Sequence, residues 1–218
     1  MDRKDERDAR ALVAALAQDE ANRRSAFEWA DRSWCANALP RGGAPAAPAL
    51  AACAPRWLAR IGMAPQPLRA LRGPAGSLAA LPMADLLRLL RLRALWPRRA
   101  ELRNWIDRPR RARLAANVGQ AAAEALRRDS VSALRVPAWL EASPELEALS
   151  DEALAWDGYC LFACDDIWPE DGPPPLVRVA LPRDAAVPPW IMRYRSAVDA
   201  GDRAAVLGYL PLIAPENE

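Results

Sequence analysis

The sequence predicts a mainly α-helical protein, an irregular bundle of about seven to nine helices with Pro-rich linkers and at most one short strand-like segment. Apolar residues recur at helical spacing along most of the chain, most densely over residues 81–119. The 21 prolines stand mainly where such patterns begin or stop. Only residues 176–181, LVRVAL, have the β-branched composition of a strand, and a lone strand has no partner, so an extended arm is an equal alternative.

The stretch 81–119 is expected to organise the rest, as three helices joined at Pro97 and Pro109. The first, over residues 82–96, carries leucines around most of its circumference and leaves Arg88 and Arg91 on one narrow polar strip. A helix of this kind is buried on most sides.

The second and third helices of this stretch are amphipathic. Leu102, Trp105 and Ile106 share one face of the second helix, and Leu114, Ala115 and Val118 share one face of the third. Asp107 is placed to cap the third helix at its N-terminus and Gly119 to cap its C-terminus.

A long helix is predicted over residues 8–37. Its apolar stripe consists of Leu12, Leu16, Phe27, Ala30 and Trp34. Asp19 and Arg23 fall in the same sector and interrupt that stripe, so we expect the aromatic C-terminal end of the helix to dock on the main body.

The other elements are shorter. Residues 40–77 indicate a Pro/Gly/Ala-rich linker with helical pieces around 56–61 and 68–71, followed later by a helix at 120–128. Ser143 and Ser150 are helix-start signals, and the helix from Ser150 is expected to run to about Asp165. One or two last helices follow over 190–213. We divide the chain into 1–40, 41–77, 78–168 and 169–218, together forming one compact domain.

Charge is segregated although the net charge is only +2. Residues 88–113, the basic segment, hold ten arginines against Glu101 and Asp107, a net charge of about +8. Residues 136–177, the acidic segment, hold ten Asp and Glu and no base. Such segregation favours association, either of the two segments with each other or of each with an oppositely charged partner.

Composition argues against most kinds of catalysis. The chain has no histidine, which excludes Ser–His and Cys–His nucleophiles and His-ligated zinc. No phosphate-binding glycine motif occurs. We therefore expect no catalytic residue and no cofactor. The charged N-terminus and the lack of a long apolar run predict neither a signal peptide nor a transmembrane helix, and hence a cytoplasmic protein.

A metal site is one interpretation of Cys160 and Cys164, which lie four residues apart on one predicted helix beside Asp165 and Asp166. Structural zinc takes its ligands mainly from tight turns, and free cysteine is commonly buried, so a core role is favoured and no metal is expected. Asp165, Asp166, Glu170 and Asp171 are likewise interpreted as a solvated loop, although a metal-dependent enzyme remains the alternative.

The candidate binding site is an arginine cluster in the basic segment. Its members are Arg98, Arg99, Arg103, Arg108, Arg110, Arg111 and Arg113. Three interpretations are open: an acidic protein surface or the chain's own acidic segment, a nucleic acid, or a solvated face. Trp96 and Trp105 lie on predicted apolar faces, which leaves no stacking platform for bases.

The central stretch resembles a known family. The Leu-rich helix entered by Leu81-Pro82, the run LRNWIDRPRRARL at 102–114 and the small-residue helix after Gly119 are similar to the K subunit (SctK, YscK/OrgA-like) of the bacterial type III secretion sorting platform. The likeness spans about 11–125, and FEWADRSW at 27–34 adds to it. The acidic segment and the Pro-rich C-terminal region match nothing in that family.

The resemblance implies a non-enzymatic, mainly helical adaptor at the cytoplasmic base of the secretion apparatus. Such a subunit links the cytoplasmic domain of an inner-membrane ring protein to the pod (SctQ-type) protein, and it meets the inner membrane only through its partners. The alternative is a nucleic-acid-binding regulatory protein that uses the basic patch at 98–113.

Overall fold

A computed structural model describes residues 3–35, 46–71, 74–130, 135–168, 174–194 and 200–213. Every regular element in these ranges is helical, which confirms the mainly α class. The α-helices are α1 (Arg3–Arg24), α2 (Ala26–Trp29), α3 (Arg32–Cys35), α4 (Ala47–Arg60), α5 (Pro74–Ala79), α6 (Met83–Leu95), α7 (Arg99–Leu102), α8 (Arg108–Val118), α9 (Gln120–Ser130), α10 (Asp151–Cys164), α11 (Pro189–Tyr194), α12 (Ala200–Leu207) and α13 (Leu210–Ile213). Short 3-10 helices occur at Leu68–Leu71, Trp96–Arg98, Ala138–Leu140, Leu146–Ala148 and Leu176–Ala180.

The chain forms two compact units. The first contains residues 1–86 and 167–185, and the second contains residues 87–166 and 186–218, so the division falls inside α6. Within the described ranges, no helix combines the length and apolarity needed to cross a membrane. Glu170, Asp171, the end of the predicted N-terminal helix and the start of the predicted linker at 40–45 lie outside the described residues.

In the first unit the N-terminal helix predicted over 8–37 is broken into α1, α2 and α3, so the prediction of one continuous helix was wrong. At Ser25 the hydroxyl donates back to the carbonyls of Ala21 (3.1 Å) and Asn22 (3.3 Å). Side-chain bonds of this kind satisfy the final carbonyls of a helix and favour its end. After α2 the backbone N–H of Asp31 donates to Val179 O at 2.9 Å, so a contact with a distant segment sets the new direction.

Helix α1 docks through polar groups rather than through the predicted apolar stripe. Asn22 is buried; its side-chain amide donates to Leu81 O (2.9 Å) and accepts from Met83 N (3.2 Å). Arg23, 4% exposed, donates to Met63 O at 2.8 Å and is paired with Asp19 at 2.7 Å. The two charged residues expected to interrupt the stripe therefore lie at the contact itself.

The aromatic end of this region packs on the first unit, as predicted. Phe27 stacks on Trp57 with ring centroids 4.7 Å apart. The indole N–H of Trp34 donates to Leu181 O at 2.8 Å. These contacts attach α2 and α3 to α4 and to the residues after position 176.

Helix α4 is longer than the short piece predicted around 56–61. It begins at Ala47, with a proline in its first turn, and it contains Pro55 in its interior. An interior proline costs about 3 kcal/mol because it removes a donor and strains the turn. Buried Trp57 and Leu58, in a segment otherwise rich in alanine, offset that cost and keep the helix intact.

The strand-like segment LVRVAL is a 3-10 helix, Leu176–Ala180, so its interpretation as a strand or an extended arm was wrong. Val177 and Val179 are fully buried. Arg178 donates to the carbonyls of Pro182 (2.9 Å) and Arg183 (2.7 Å), which folds the following residues back on the turn. A tight turn supplies these hydrogen bonds locally, whereas a lone strand would leave its backbone unpaired.

The first and third predicted helices of the central stretch are confirmed. Helix α6 is buried on most sides and α8 has the predicted caps: Asp107 accepts from Arg110 N, and Gly119 has φ +85. The middle helix is reduced to the four residues of α7, and Ile106 is 70% exposed rather than packed. After Leu102 the backbone N–H groups of Asn104 and Trp105 donate to Glu101 O (3.1 Å) and Leu102 O (3.0 Å), and these tight turns end the helix.

Helix α10 is confirmed almost to the residue. Ser150 accepts from Ala153 N as its N-cap, and Leu154, Leu161 and Phe162 are buried. Gly158 lies against α6: a Cβ placed on it would be 1.8 Å from Leu90 O. Three helices, α11, α12 and α13, follow in the described residues, where one or two were expected over 190–213.

Candidate interaction surface

The basic and acidic segments meet within the second unit. Arg110 is 2.7 Å from the Glu147 carboxylate, and Arg113 donates to the carbonyls of Glu147 (3.1 Å) and Leu149. Arg91 reaches Asp151 O at 3.3 Å. The chain's own acidic segment is therefore the partner of several of the clustered arginines.

Arg98, a member of the predicted cluster, is an internal residue. It is 1% exposed, and its guanidinium donates to Ser143 Oγ at 2.7 Å, Pro144 O at 3.1 Å and Glu101 at 3.1 Å. Arginine suits such a site because its planar fork satisfies several acceptors at once. Arg98 fixes the loop before α10 and presents no charge to a partner.

Arg99 is half-buried, and its guanidinium carbon lies 3.7 Å from the ring centroid of Trp96. A guanidinium stacked on an indole face is held by a cation–π attraction, which restricts its orientation. Arg110 and Arg113 are also half-buried. Of the seven predicted residues, Arg103, Arg108 and Arg111 remain exposed.

The exposed arginines of α8 border a groove between α8 and α9, which we name the arginine groove. Its volume is about 580 Å³. It is lined by Ile106, Arg108, Arg111, Ala112, Ala115, Gln120, Ala123, Glu124 and Arg127. Its alanines and exposed Ile106 give it an apolar floor, while its three arginines outnumber its one acid. An acidic helix with one apolar face is the ligand that fits this chemistry.

Sequence reasoning missed two residues of the arginine groove. Arg127 was included only in the helix predicted at 120–128, and Ile106 was placed on the apolar face of the second helix of the central stretch. Gly119 is the single residue between α8 and α9, and its positive φ permits an abrupt change of chain direction there. This glycine was the sequence signal that the two helices lie side by side.

A second groove in this unit surrounds one carboxyl, and we name it the Asp157 groove. Its volume is about 410 Å³. The lining residues are Ala142, Pro144, Leu149, Ala153, Trp156, Asp157, Pro188, Pro189, Trp190 and Arg193. Asp157 lies three residues after Leu154 and four before Leu161, so it stands on the apolar face of α10. That spacing was the missed signal, because Asp157 was predicted only as one charge of the acidic segment.

Burial raises the pKa of Asp157 to about 7, and nearby Arg98 acts in the opposite direction. The residue is 4% exposed, and in the part of the chain that the structure describes its carboxylate accepts no hydrogen bond. A buried carboxyl without a donor favours its protonated form, because the charge has lost its hydration.

Replacing Asp157 with asparagine is expected to stabilise the protein at pH 8 by about 2–4 kcal/mol, with the gain fading toward pH 4. Between the unfolded pKa near 3.8 and the folded pKa near 7, the folded chain keeps a proton that the unfolded chain releases. Wild-type stability therefore falls as pH rises through this range, and the Asp157→Asn variant lacks that loss because its amide does not titrate. Urea unfolding at several pH values measures the difference.

Asp166→Asn is the matched control for that measurement. Asp166 ends the same helical region and is exposed, and its φ of 56° is one that asparagine adopts readily. The Asp166→Asn variant should change the free energy of unfolding by less than about 0.5 kcal/mol. An Asp157→Asn gain that stays constant from pH 4 to pH 8 would contradict the raised pKa.

The proposed metal ligands are separated by their environments. Cys160 is buried among Leu140, Trp190 and Tyr194, as the core interpretation predicts. Asp165 is buried and forms an ion pair with Arg93, whereas Asp166 is exposed. No group of three His, Cys, Asp or Glu suited to a metal ion occurs among the described residues.

Comparison with known proteins identifies the family to which the chain belongs. No curated protein and no solved structure matches the chain significantly. A family model described as bacterial type III secretion protein (HrpB4) matches residues 5–216, which is nearly the whole chain. This match confirms the expected link to type III secretion, and the chain belongs to the HrpB4 family of bacterial type III secretion proteins.

Proposed function

We propose that the protein is a non-enzymatic adaptor of the type III secretion sorting platform, equivalent to SctK. It links the cytoplasmic domain of the inner-membrane ring protein to the pod protein at the cytoplasmic base of the apparatus. The family supports a role in secretion. The resemblance of the central stretch to SctK supports the finer assignment.

The observation that carries the proposal is the arginine groove. Arg108 and Arg111 are exposed on one side of α8, next to an apolar floor and exposed Ile106. An exposed isoleucine beside uncompensated positive charge is a feature of a binding surface more than of a solvated face. An amphipathic acidic helix from the ring protein or the pod protein is the proposed ligand.

The double change Arg108→Glu/Arg111→Glu is expected to weaken binding to one of these two partners by at least about tenfold. The groove would then repel an acidic ligand, while the contacts of buried Arg98 and half-buried Arg113 stay intact. Binding of the purified protein to the ring protein's cytoplasmic domain and to the pod protein, measured by calorimetry, tests this.

Arg56→Glu/Arg60→Glu is the matched control. Both residues lie on α4, one helical turn apart, and the substitution changes the net charge by the same amount. It should leave both affinities unchanged. If the groove variant binds both proteins as tightly as wild type, the arginine groove is not the interface.

The residues around the arginine cluster do not support nucleic-acid binding. Trp96 and Trp105, the tryptophans of the basic segment, are 8% and 5% exposed. Single-stranded nucleic acid is commonly bound by stacking on exposed rings. We therefore propose no second function for this surface.

A further inference from the structure

In the Asp157 groove a buried carboxyl group lies next to a cavity, which is an unusual combination. Proteins seldom bury a carboxylate without a donor, because the lost hydration is not replaced. Asp157 is 4% exposed, accepts no hydrogen bond from the described residues, and lines a cavity of about 410 Å³. An internal structural role would require a partner for this group within the fold.

The walls of the Asp157 groove are aromatic rings and prolines. Trp156 is held by its indole N–H, which donates to Ala186 O at 2.9 Å, and Trp190 is 4% exposed. Pro144, Pro188 and Pro189 complete the apolar surface. Rigid walls of this composition bind extended segments and long aliphatic stems at a small cost in side-chain entropy.

Two positive groups lie near Asp157. Arg98 is buried, but its charge is matched by Glu101, 3.1 Å away. Arg193 is exposed and lines the groove from α11. Arg98 is therefore partly compensated by Glu101, and its effect on Asp157 is outweighed by burial of the carboxyl.

We propose that the Asp157 groove binds an arginine side chain from an extended segment of a partner protein, with the guanidinium against the Asp157 carboxylate and the aliphatic stem against Trp156. Arginine fits better than lysine because a guanidinium is planar, weakly hydrated, able to bond a carboxylate twice and able to stack on indole. The same chain uses that stacking where Arg99 lies on Trp96.

The volume of the Asp157 groove favours a peptide that contains arginine over a free guanidinium compound. A guanidinium alone fills only part of 410 Å³, while an arginine with its flanking residues fills a pocket of this size. The proposal stands independently of the adaptor assignment, since the Asp157 groove and the arginine groove share no residue.

The test uses the full chain and two short probes, acetyl-Ala-Pro-Arg-Pro-Ala-amide and the same peptide with citrulline in place of arginine. Citrulline keeps the shape of arginine and removes its charge. Calorimetry at pH 8 should show the arginine peptide binding at least about tenfold more tightly than the citrulline peptide. At pH 7 binding should release protons, because a cation beside Asp157 stabilises its ionised form.

Asp157→Asn should abolish the preference for arginine, and the variant is expected to be well folded because it removes an unfavourable buried charge. Asp166→Asn is the control and should bind as wild type does. Ala153→Leu, which fills the groove one turn from Asp157 and leaves the acid in place, should weaken both peptides. N-acetylarginine amide shows whether a free guanidinium is enough.

Equal affinity of wild type for the two peptides, or no binding of either at millimolar concentration, overturns the proposal. So does an arginine preference that survives Asp157→Asn. Tighter binding of N-acetylarginine amide than of the peptide overturns the peptide assignment and identifies a small-molecule site. Loss of ring-protein or pod-protein binding in the arginine-groove variants changes none of these outcomes.

Discussion

Asp165→Ala is expected to destabilise the second unit by about 3–5 kcal/mol, one of the two largest effects we predict for a single substitution. Asp165 accepts from Arg93 Nε at 2.8 Å and from Tyr194 OH at 2.7 Å, and Arg93 is fully buried. Removing the carboxylate leaves the buried guanidinium with its charge uncompensated. The free energy of unfolding, measured in urea with tryptophan fluorescence, should fall by this amount.

The matched control is again Asp166→Asn, one residue further and exposed, which should change stability by less than about 0.5 kcal/mol. Tyr194→Phe should cost less than Asp165→Ala, because it removes a neutral hydroxyl, which donates to Asp165 and accepts from Arg93, and leaves the ion pair. The double change Arg93→Met/Asp165→Leu should be less harmful than the sum of its single changes. Equal stability of Asp165→Ala and wild type would show that the pair contributes nothing.

Gly158→Ala should be at least as damaging, with a loss of about 3 kcal/mol or more. In a free helix this change is favourable by about 1 kcal/mol, so a large loss has to come from packing. A Cβ at this position would lie 1.8 Å from Leu90 O and 2.5 Å from its carbonyl carbon, and both are backbone atoms of α6. Helices α6 and α10 would have to separate.

Gly208→Ala is the control for that effect. Its Cβ would be 3.1 Å from Ala205 O, a tight but adjustable contact, so the change in stability should be small. Unchanged stability in Gly158→Ala would contradict the close approach.

The sequence predicted those elements whose signals are local. Ser150 and Asp107 cap α10 and α8 because an N-cap needs only a side chain and the next turn of backbone. The leucines of α6 predicted its burial because their spacing covers nearly the whole helix circumference. Errors arose where distant groups decide the outcome: α1 ends at Arg24, and LVRVAL forms a turn rather than a strand.

The arginine-rich composition of the basic segment predicted where the candidate site lies, but only some of the predicted residues are exposed there. Clustered arginines marked the region, but sequence alone does not say which of them face inward. Arg98 and Arg93 are buried because Ser143, Pro144 and Asp165, far along the chain, offer acceptors to them. Arg108 and Arg111 remain exposed because they lie at the open groove between α8 and α9 rather than beneath a packed neighbour.

The sequence by itself determined the helical class, the caps, the segregation of charge and the resemblance to type III secretion proteins, because these depend on neighbours within a few turns. Only the tertiary structure decided how the two charged segments meet, which arginines remain exposed and why Asp157 lacks a donor. The physical reason is that burial and charge compensation depend on which groups, distant in the sequence, replace water around a side chain. The local sequence pattern does not show which distant groups become neighbours in the fold.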